Sequence, residues 1–348
     1  MADRGALPVS VKPSIISAGY MPLDVIMTEH GLVARRAGGT AANVAAILSF
    51  LGWQATLAGQ AGDDVAGMTL TADLASAGVD VTHVHRVPGV ATPRLIHSVR
   101  RDGHSFRWSC PACGERLPRS RPLTLEGAQR LILSMPRTSV YFFDRANAGT
   151  LALAEHYAEL GSVVVYEPSV PANAEMLRRA VRVANVIKHS DDRSVGGLED
   201  LAITPQTGQV RIVTHGAHGL ELRVGKGRPR RLAALPTHSV DNGGAGDWTT
   251  AGLLADAIGP GGLEQGRLVD ALRFGQALAA LSCTAPGARG LMGLTRRTVL
   301  RHARKVEADG GSTGQLRLKL ASPQPAPAGT CAICLMPQRA RREDRQAA

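Results

Sequence analysis

A chain of 348 residues, 44% of them hydrophobic, is long enough to bury a large core as one large α/β domain or two smaller ones. No run of about 18 apolar residues is present, and residues 1–13 lack the apolar core and cleavage pattern of a signal peptide. A membrane span and secretion are therefore not expected, and a cytoplasmic protein is the default. The formal charge of +11 rests on arginine; the lysines are Lys12, Lys188, Lys226, Lys305 and Lys319. A basic balance favours anionic ligands, but aromatics at 3% leave few platforms for single-stranded nucleic acid, and a compositional bias toward Ala, Gly and Arg explains the charge without such a partner.

Residues 14–27 hold a short apolar strand pattern broken by Gly19 and Pro22. The spacing predicts a helix over 41–51, with Val44, Ile47, Leu48 and Leu51 on one face. A strand over 55–59 leads to a turn at Gly62-Asp63-Asp64, and a helix over about 66–77 stops at Gly78. Over 94–108 the period changes. Leu95, His97 and Val99 alternate with Ile96, Ser98 and Arg100, Asp102-Gly103 turns the chain, and Phe106 and Trp108 alternate after it, which predicts a β-hairpin. Strands then read at 139–143, 162–166, 185–188, 210–214 and 220–224, and helices at 148–160, 172–182, 245–258, 267–283 and 295–306. Repeated β-α-β units imply a mostly parallel sheet with helices on both faces, which binds ligands at the carboxyl ends of its strands. The expected organisation is one domain over 14–305, with the hairpin projecting at about 92–110, and a tail over 306–348. The tail carries linker-like Gly310-Gly311-Ser312 and Ser322-Pro323-Gln324-Pro325-Ala326-Pro327, then a basic end with Arg339, Arg341, Arg342 and Arg345.

The densest chemistry lies in Asp241-Asn242-Gly243-Gly244-Ala245-Gly246-Asp247, ahead of an apolar helix. Phosphoryl transfer needs amides for the migrating oxygens, a base for the hydroxyl proton, and cations. Gly244, Ala245 and Gly246 at a helix start direct N–H groups and the positive end of the dipole at one spot, and glycine lets a phosphate approach closely. Asp247, in the first turn, is placed to accept a hydroxyl proton. Asp241 is a candidate for orienting water on Mg²⁺. Taken alone, the segment also reads as a glycine turn capped by aspartates.

The segment resembles the C-terminal signature of the ribokinase-like (PfkB) carbohydrate kinase family, Asp-Thr-x-Gly-Ala-Gly-Asp, with Asn242 in place of the Thr. Gly38-Gly39-Thr40-Ala41-Ala42-Asn43, followed by Leu51-Gly52, is similar to the family's Gly-Gly-x-x-x-Asn pattern, and Gly59-Gln60-Ala61-Gly62-Asp63-Asp64 with Gly67 continues it. Thr214-His215-Gly216-Ala217-His218-Gly219 resembles its nucleotide loop, and residues 279–287, with Cys283 and Thr284, its adenine border.

The resemblance implies a three-layer ribokinase-like fold with a small β-sheet lid, and ATP- and Mg²⁺-dependent phosphorylation of a sugar or nucleoside hydroxyl. It implies Asp247 as base; amides of Gly244, Ala245 and Gly246 as anion hole; Thr214, Gly216, Gly219 and Asp241 toward nucleotide and metal; and Asp24, Gly38, Gly39 and Asn43 toward the acceptor. Lid closure would exclude water, and paired lids make a homodimer one arrangement it allows. The family's Asn-x-x-Glu departs here to Ser190-Asp191-Asp192-Arg193. Asp191 or Asp192 would then compensate. Otherwise metal use is altered or activity is weak; Lys188 and Arg193 would instead hold phosphates or an anionic substrate, or the stretch is a solvated charged turn. A catalytically weakened kinase fold acting as a binding or regulatory module is the alternative reading, and nucleic-acid binding by the basic tail a further one.

The cysteines pair as Cys110/Cys113 and Cys331/Cys334, a spacing that in a cytosolic protein points to metal or redox chemistry before a disulfide. Four thiolates suit one tetrahedral structural Zn²⁺, with the tail brought back to the hairpin; separate redox pairs or metal-free thiols are the other readings. Cys283, in an apolar stretch, is expected in the core.

Overall fold

The structure, a computed structural model, describes residues 12–100, 103–119, 122–191, 206–311 and 324–338. Asp102, Asp192, Arg193, Ser312, Ser322, Pro323 and the arginines beyond 338 lie outside these. In chain order the elements are β1 (Ser14–Ala18), β2 (Leu23–Thr28), β3 (Gly31–Ala37), α1 (Thr40–Leu51), β4 (Gln54–Gly62), α2 (Val65–Ser76), β5 (Val79–Asp80), β6 (Val84–Val87), β7 (Arg94–Arg100), β8 (Gly103–Arg107), α3 (Leu125–Ile132), β9 (Val140–Phe143), α4 (Ala148–Glu159), β10 (Val163–Tyr166), α5 (Ala174–Val183), β11 (Val186–Ser190), β12 (Val210–Thr214), β13 (Leu220–Val224) and β14 (Arg230–Leu232). Then follow α6 (Ala245–Ala257), the short pair β15 (Ile258–Gly259) and β16 (Gly262–Leu263), α7 (Leu268–Ser282) and α8 (Arg296–Ala308).

The main sheet has the order β14-β13-β12-β11-β10-β9-β1-β4-β5, with β6 also on β4; it is parallel except at β12–β13–β14. Its central strands are apolar throughout and send alternate residues to opposite faces. Ile15, Val140, Phe142, Val163 and Val165 pack with α1, α2, α6, α7 and α8, whereas Ile16, Tyr141, Phe143, Val164 and Tyr166 pack with α3, α4 and α5. Helices therefore cover both faces, the three layers expected. Cys283 is buried. No helix among the described residues is long and apolar enough to cross a membrane.

The lid is larger than the expected hairpin. β7 and β8 pair antiparallel, but β2 joins β7 in parallel and β3 joins β2, giving the order β3-β2-β7-β8. The pattern over 14–27 is thus two strands in two sheets, split at Gly19 and Pro22: β1 in the body, β2 in the lid. Alternation gives the lid two faces. Val25 and Ile96 point outward into a cluster with Leu117, Cys110, Cys331 and Cys334, and Asp24, Leu95 and His97 point the other way. Arg94, fully buried, ties β7 to the body through Asp64, its Nη2 donating to Oδ2 at 2.8 Å.

Candidate active site

Helix starts separate the site from the scaffold. α2, α3, α4, α5 and α8 begin on side-chain caps, from Asp64, Thr124, Asn147, Asn173 and Thr295. α7 runs on from a 3-10 turn at Gln265–Arg267 without a side-chain cap, whereas α1 and α6 begin on the positive-φ glycines Gly39 (φ 85°) and Gly244 (φ 86°), likewise with no side-chain cap. Left-handed φ favours glycine at both positions, and two uncapped helix mouths suit an anion or a polar substrate. The two helices meet: Asn43, in the first turn of α1, donates from Nδ2 to Oδ2 of Asp247, in the first turn of α6, at 2.7 Å. Both residues are buried.

On the acceptor side, Asp24 sits on the first lid strand, β2, rather than on the first body strand. The residue is half-buried, but its Oδ1 is buried with no hydrogen-bond partner, and burial pushes its carboxyl up to about 7 despite the pull of His97 and Arg289. The 38–39 turn lies against it, closed by Gly38 N–H donating to Pro22 O at 2.8 Å. A Cβ at Gly39 would fall 1.9 Å from the Tyr20 carbonyl oxygen, so only glycine lets the turn pass there.

Asp144, just past β9, escaped the sequence reading. Its Oδ1 accepts the Tyr20 N–H at 3.0 Å, its Oδ2 is buried without a partner, and burial pushes it up to about 6. Its signal was positional: an acidic residue at the carboxyl end of a central strand, where such sheets bind ligands. Glu167, just past β10, and Lys188, on β11, continue that row. Lys188 Nζ donates to Glu167 Oε1 at 2.5 Å, and Thr250 Oγ1 of α6 donates to Oε2 at 2.6 Å. Lys188 is buried and so stands apart from any solvated turn, whereas Asp191 is exposed. A Cβ at Gly246 would stand 3.4 Å from Lys188 Nζ, so the ammonium lies directly beneath the helix mouth.

The 241–247 loop is held from both sides. Asp241 Oδ1 accepts the Gly243 N–H at 2.8 Å, and Oδ2 accepts the Gly287 N–H at 2.7 Å. Burial alone would raise its carboxyl, yet His104, His97 and the Gly287 amide hold it far below the carboxylate range. The Ala245 N–H donates to Asn242 O at 3.2 Å, inside the turn. Trp248, fully buried, donates from Nε1 to Ala288 O at 2.8 Å, and α6 crosses α7 with Gly252 against Gly275, where a Cβ would fall 2.5 Å from the Gly275 Cα. Residues 283–288, which overlap the stretch 279–287 expected to border the adenine, thus brace this loop. Thr214, Gly216 and Gly219 stand at the carboxyl end of β12; Asp191 N–H donates to Thr214 O at 3.1 Å, and the Asp191 carboxylate meets His215 Nδ1 at 2.5 Å.

The two cysteine pairs, distant in sequence, come together on the outer face of the lid. Cys110 and Cys331 sulfurs are 3.9 Å apart, Cys113 and Cys334 3.6 Å, and all four lie within 4.8 Å of one another. Each pair sits in the same knuckle. Cys110 N–H donates to Glu115 O as Cys331 N–H does to Met336 O, and Gly114 (φ 74°) and Leu335 (φ 58°) make the same left-handed turn after the second cysteine. Burial would raise the Cys331 thiol, but the Cys334 and Ile333 N–H groups and neighbouring thiols outweigh it and bring it down to about 7.

The model of the pfkB family of carbohydrate kinases matches residues 13–292. The chain belongs to that family. Among similar curated proteins are fructokinase-1 of Oryza sativa subsp. japonica, 26% identical over 310 residues (83% of this chain, 95% of the relative), and an ATP-dependent ribose-1-phosphate kinase of Halopiger xanaduensis, 27% identical over 291 residues (79% and 93%). Among solved structures, aminoimidazole riboside kinase from Salmonella enterica, complexed with aminoimidazole riboside and an ATP analogue, superposes with a TM-score of 0.64 at 20% identity, covering 83% of this chain and 99% of that one, which shows the fold. As a PfkB-type kinase the protein is a phosphotransferase with an alcohol acceptor, of a family that uses ATP.

Proposed function

We propose that this PfkB kinase moves the γ-phosphate of ATP onto a hydroxyl of a sugar or nucleoside-like acceptor, with Asp247 as the base. The Asn43–Asp247 hydrogen bond carries this reading, because it joins the expected acceptor turn to the expected base and anion hole. The unpartnered oxygens of Asp24 and Asp144 are acceptors for substrate hydroxyls, since a buried carboxylate oxygen without a partner is costly until a ligand supplies one. The 38–39 turn brings backbone to the same place. Asp247 takes the acceptor proton as the oxygen attacks phosphorus. Amides at the α6 mouth and the ammonium of Lys188 stabilise the charge on the transferring oxygens. Thr214, Gly216 and Gly219 hold the nucleotide.

Mg²⁺ suits the oxygen donors here, and when bound it neutralises phosphate charge. Asp241 holds the loop by accepting the Gly243 and Gly287 amides, and Glu167, beside Gly246, orients metal-bound water through the lone pairs left on its oxygens. We assign one structural Zn²⁺ to Cys110, Cys113, Cys331 and Cys334. Sulfurs about 2.3 Å from a tetrahedral zinc stand roughly 3.8 Å apart, the spacing found, and four clustered thiols suit it better than two separate redox pairs.

The test is ATP turnover against a panel of sugars and nucleosides. Asp247→Asn should lower kcat by about 10²–10⁴ while leaving ATP binding intact. Transfer indifferent to that change would remove Asp247 as base, and no transfer to any acceptor would favour the regulatory reading.

A further inference from the structure

Two imidazoles on the inner face of the lid have no task in the transfer chemistry. His97 on β7 and His104 on β8 stand edge to face, ring centroids 5.1 Å apart, with Phe106 against them at 4.8 and 5.0 Å. His97 is 3% exposed, and its Nε2 and the Nδ1 of His104 are buried facing Asp241. Both nitrogens are turned to Oδ1 of Asp241, at 3.6 and 3.3 Å, and the three atoms lie within 4.8 Å of one another. Donors about 2.0–2.1 Å from a tetrahedral metal stand roughly 3.4 Å apart. Oδ1 already accepts the Gly243 N–H, and a carboxylate oxygen keeps a second lone pair for a metal. Gly243 leaves the room required: a Cβ there would fall 2.9 Å from His97 Cε1.

Two imidazoles and one carboxylate make a borderline donor set, matched to Zn²⁺, Co²⁺ or Cu²⁺ rather than to Mg²⁺, which prefers oxygen alone. We propose that His97, His104 and Asp241 bind one such divalent transition ion, which clasps the lid to the loop ahead of α6. Three protein ligands leave a fourth position for water or an acceptor hydroxyl. The ligands come from two lid strands and from a loop braced against the body, so the bound ion holds the lid, and Asp24 with it, down toward Asp247. Substrate entry and product release need that lid to lift, so the ion acts as an inhibitory latch. This centre is separate from the four thiolates, which occupy the outer face of the same sheet.

The experiment uses the full chain with zinc on its cysteines, titrated with Co²⁺ and followed by visible absorption and by metal per chain after gel filtration. The expected result is one further Co²⁺ per chain, not displaced by excess Mg²⁺. His104→Gln, at a side chain 22% exposed near the lid edge, should weaken that binding by at least the roughly 10–100-fold that loss of even an outer-shell partner causes, with unchanged circular dichroism. His97→Gln, if it folds, should do the same. No additional ion in the parent protein, or equal affinity in His104→Gln, overturns the site. Inhibition of transfer by Co²⁺, relieved in His104→Gln, tests the latch and rests on the kinase reading; the metal count does not, so an inactive protein that still gains its Co²⁺ would reject the kinase and support the site.

Discussion

A Cβ on Gly38 would lie 2.0 Å from Oδ2 of Asp24, so the glycine backbone presses directly on the carboxylate. The two are one device: the turn fixes the carboxylate, and the carboxylate fills the space a side chain would need. Gly38→Ala should therefore push Asp24 out of place and raise KM for the acceptor by tenfold or more, the order of effect a small misplacement produces, with little change in KM for ATP. Steady-state kinetics in both substrates checks this; a change confined to ATP would detach the turn from the acceptor.

Asp24 also predicts a dependence of stability on pH. Its carboxyl is raised from 3.8 to about 7, chiefly by burial, so the native state holds the proton more tightly than the unfolded chain. The associated stability is complete below the ordinary value and is lost as pH rises through 7. Each tenfold difference in proton affinity is worth about 1.4 kcal/mol, so the loss reaches a few kcal/mol. Asp24→Asn should flatten this part of the profile and gain stability at pH 8 relative to pH 5, while abolishing acceptor binding. Denaturant melts at the two pH values measure it, and a parallel offset at both would refute the assignment.

The Lys188–Glu167 pair is buried on both sides. Removing one partner strands a charge, at a cost of about 3–5 kcal/mol, whereas removing both is far milder. Lys188→Met should be severely destabilised, and Lys188→Met with Glu167→Gln should recover much of the loss. Chemical denaturation of the set decides; additive losses would contradict the pairing.

Dialysed protein should carry zinc on its four cysteines. Replacing Cys331 and Cys334 by Ser should release that zinc, lower Tm by several degrees and open the tail to protease near residue 330. Zinc unchanged after the double substitution would refute the shared site.

What the sequence disclosed and what it hid follow from range. The 241–247 loop and the 38–43 turn were readable because each concentrates its chemistry within a few residues, and the central parallel strands β9 and β10 because they are apolar throughout. β3 stayed hidden because Arg35 and Arg36 break its pattern. Their guanidiniums face partners remote in sequence: Arg35 donates to the carbonyls of Ile333 (3.0 Å), Gln324 (2.8 Å) and Ala332, and Arg36 to Asp73 at 2.9 Å. Asp144 looked like any acidic residue after a strand. His97 and His104 read as ordinary hairpin positions, since only the folded lid brings them to Asp241.

The knuckle on the outer lid face also sets an order of events during synthesis. Val25 and Ile96 leave the ribosome well before Cys331, Ile333 and Cys334, which cover them. Until then the nascent kinase body carries a bare greasy patch, and an abridged version cut at residue 292, where the family match stops, would carry it for good. Anyone shortening the gene to its recognisable part should expect a sticky product, and the knuckle at Cys331 and Cys334 is better regarded as the second half of a structure begun in the lid.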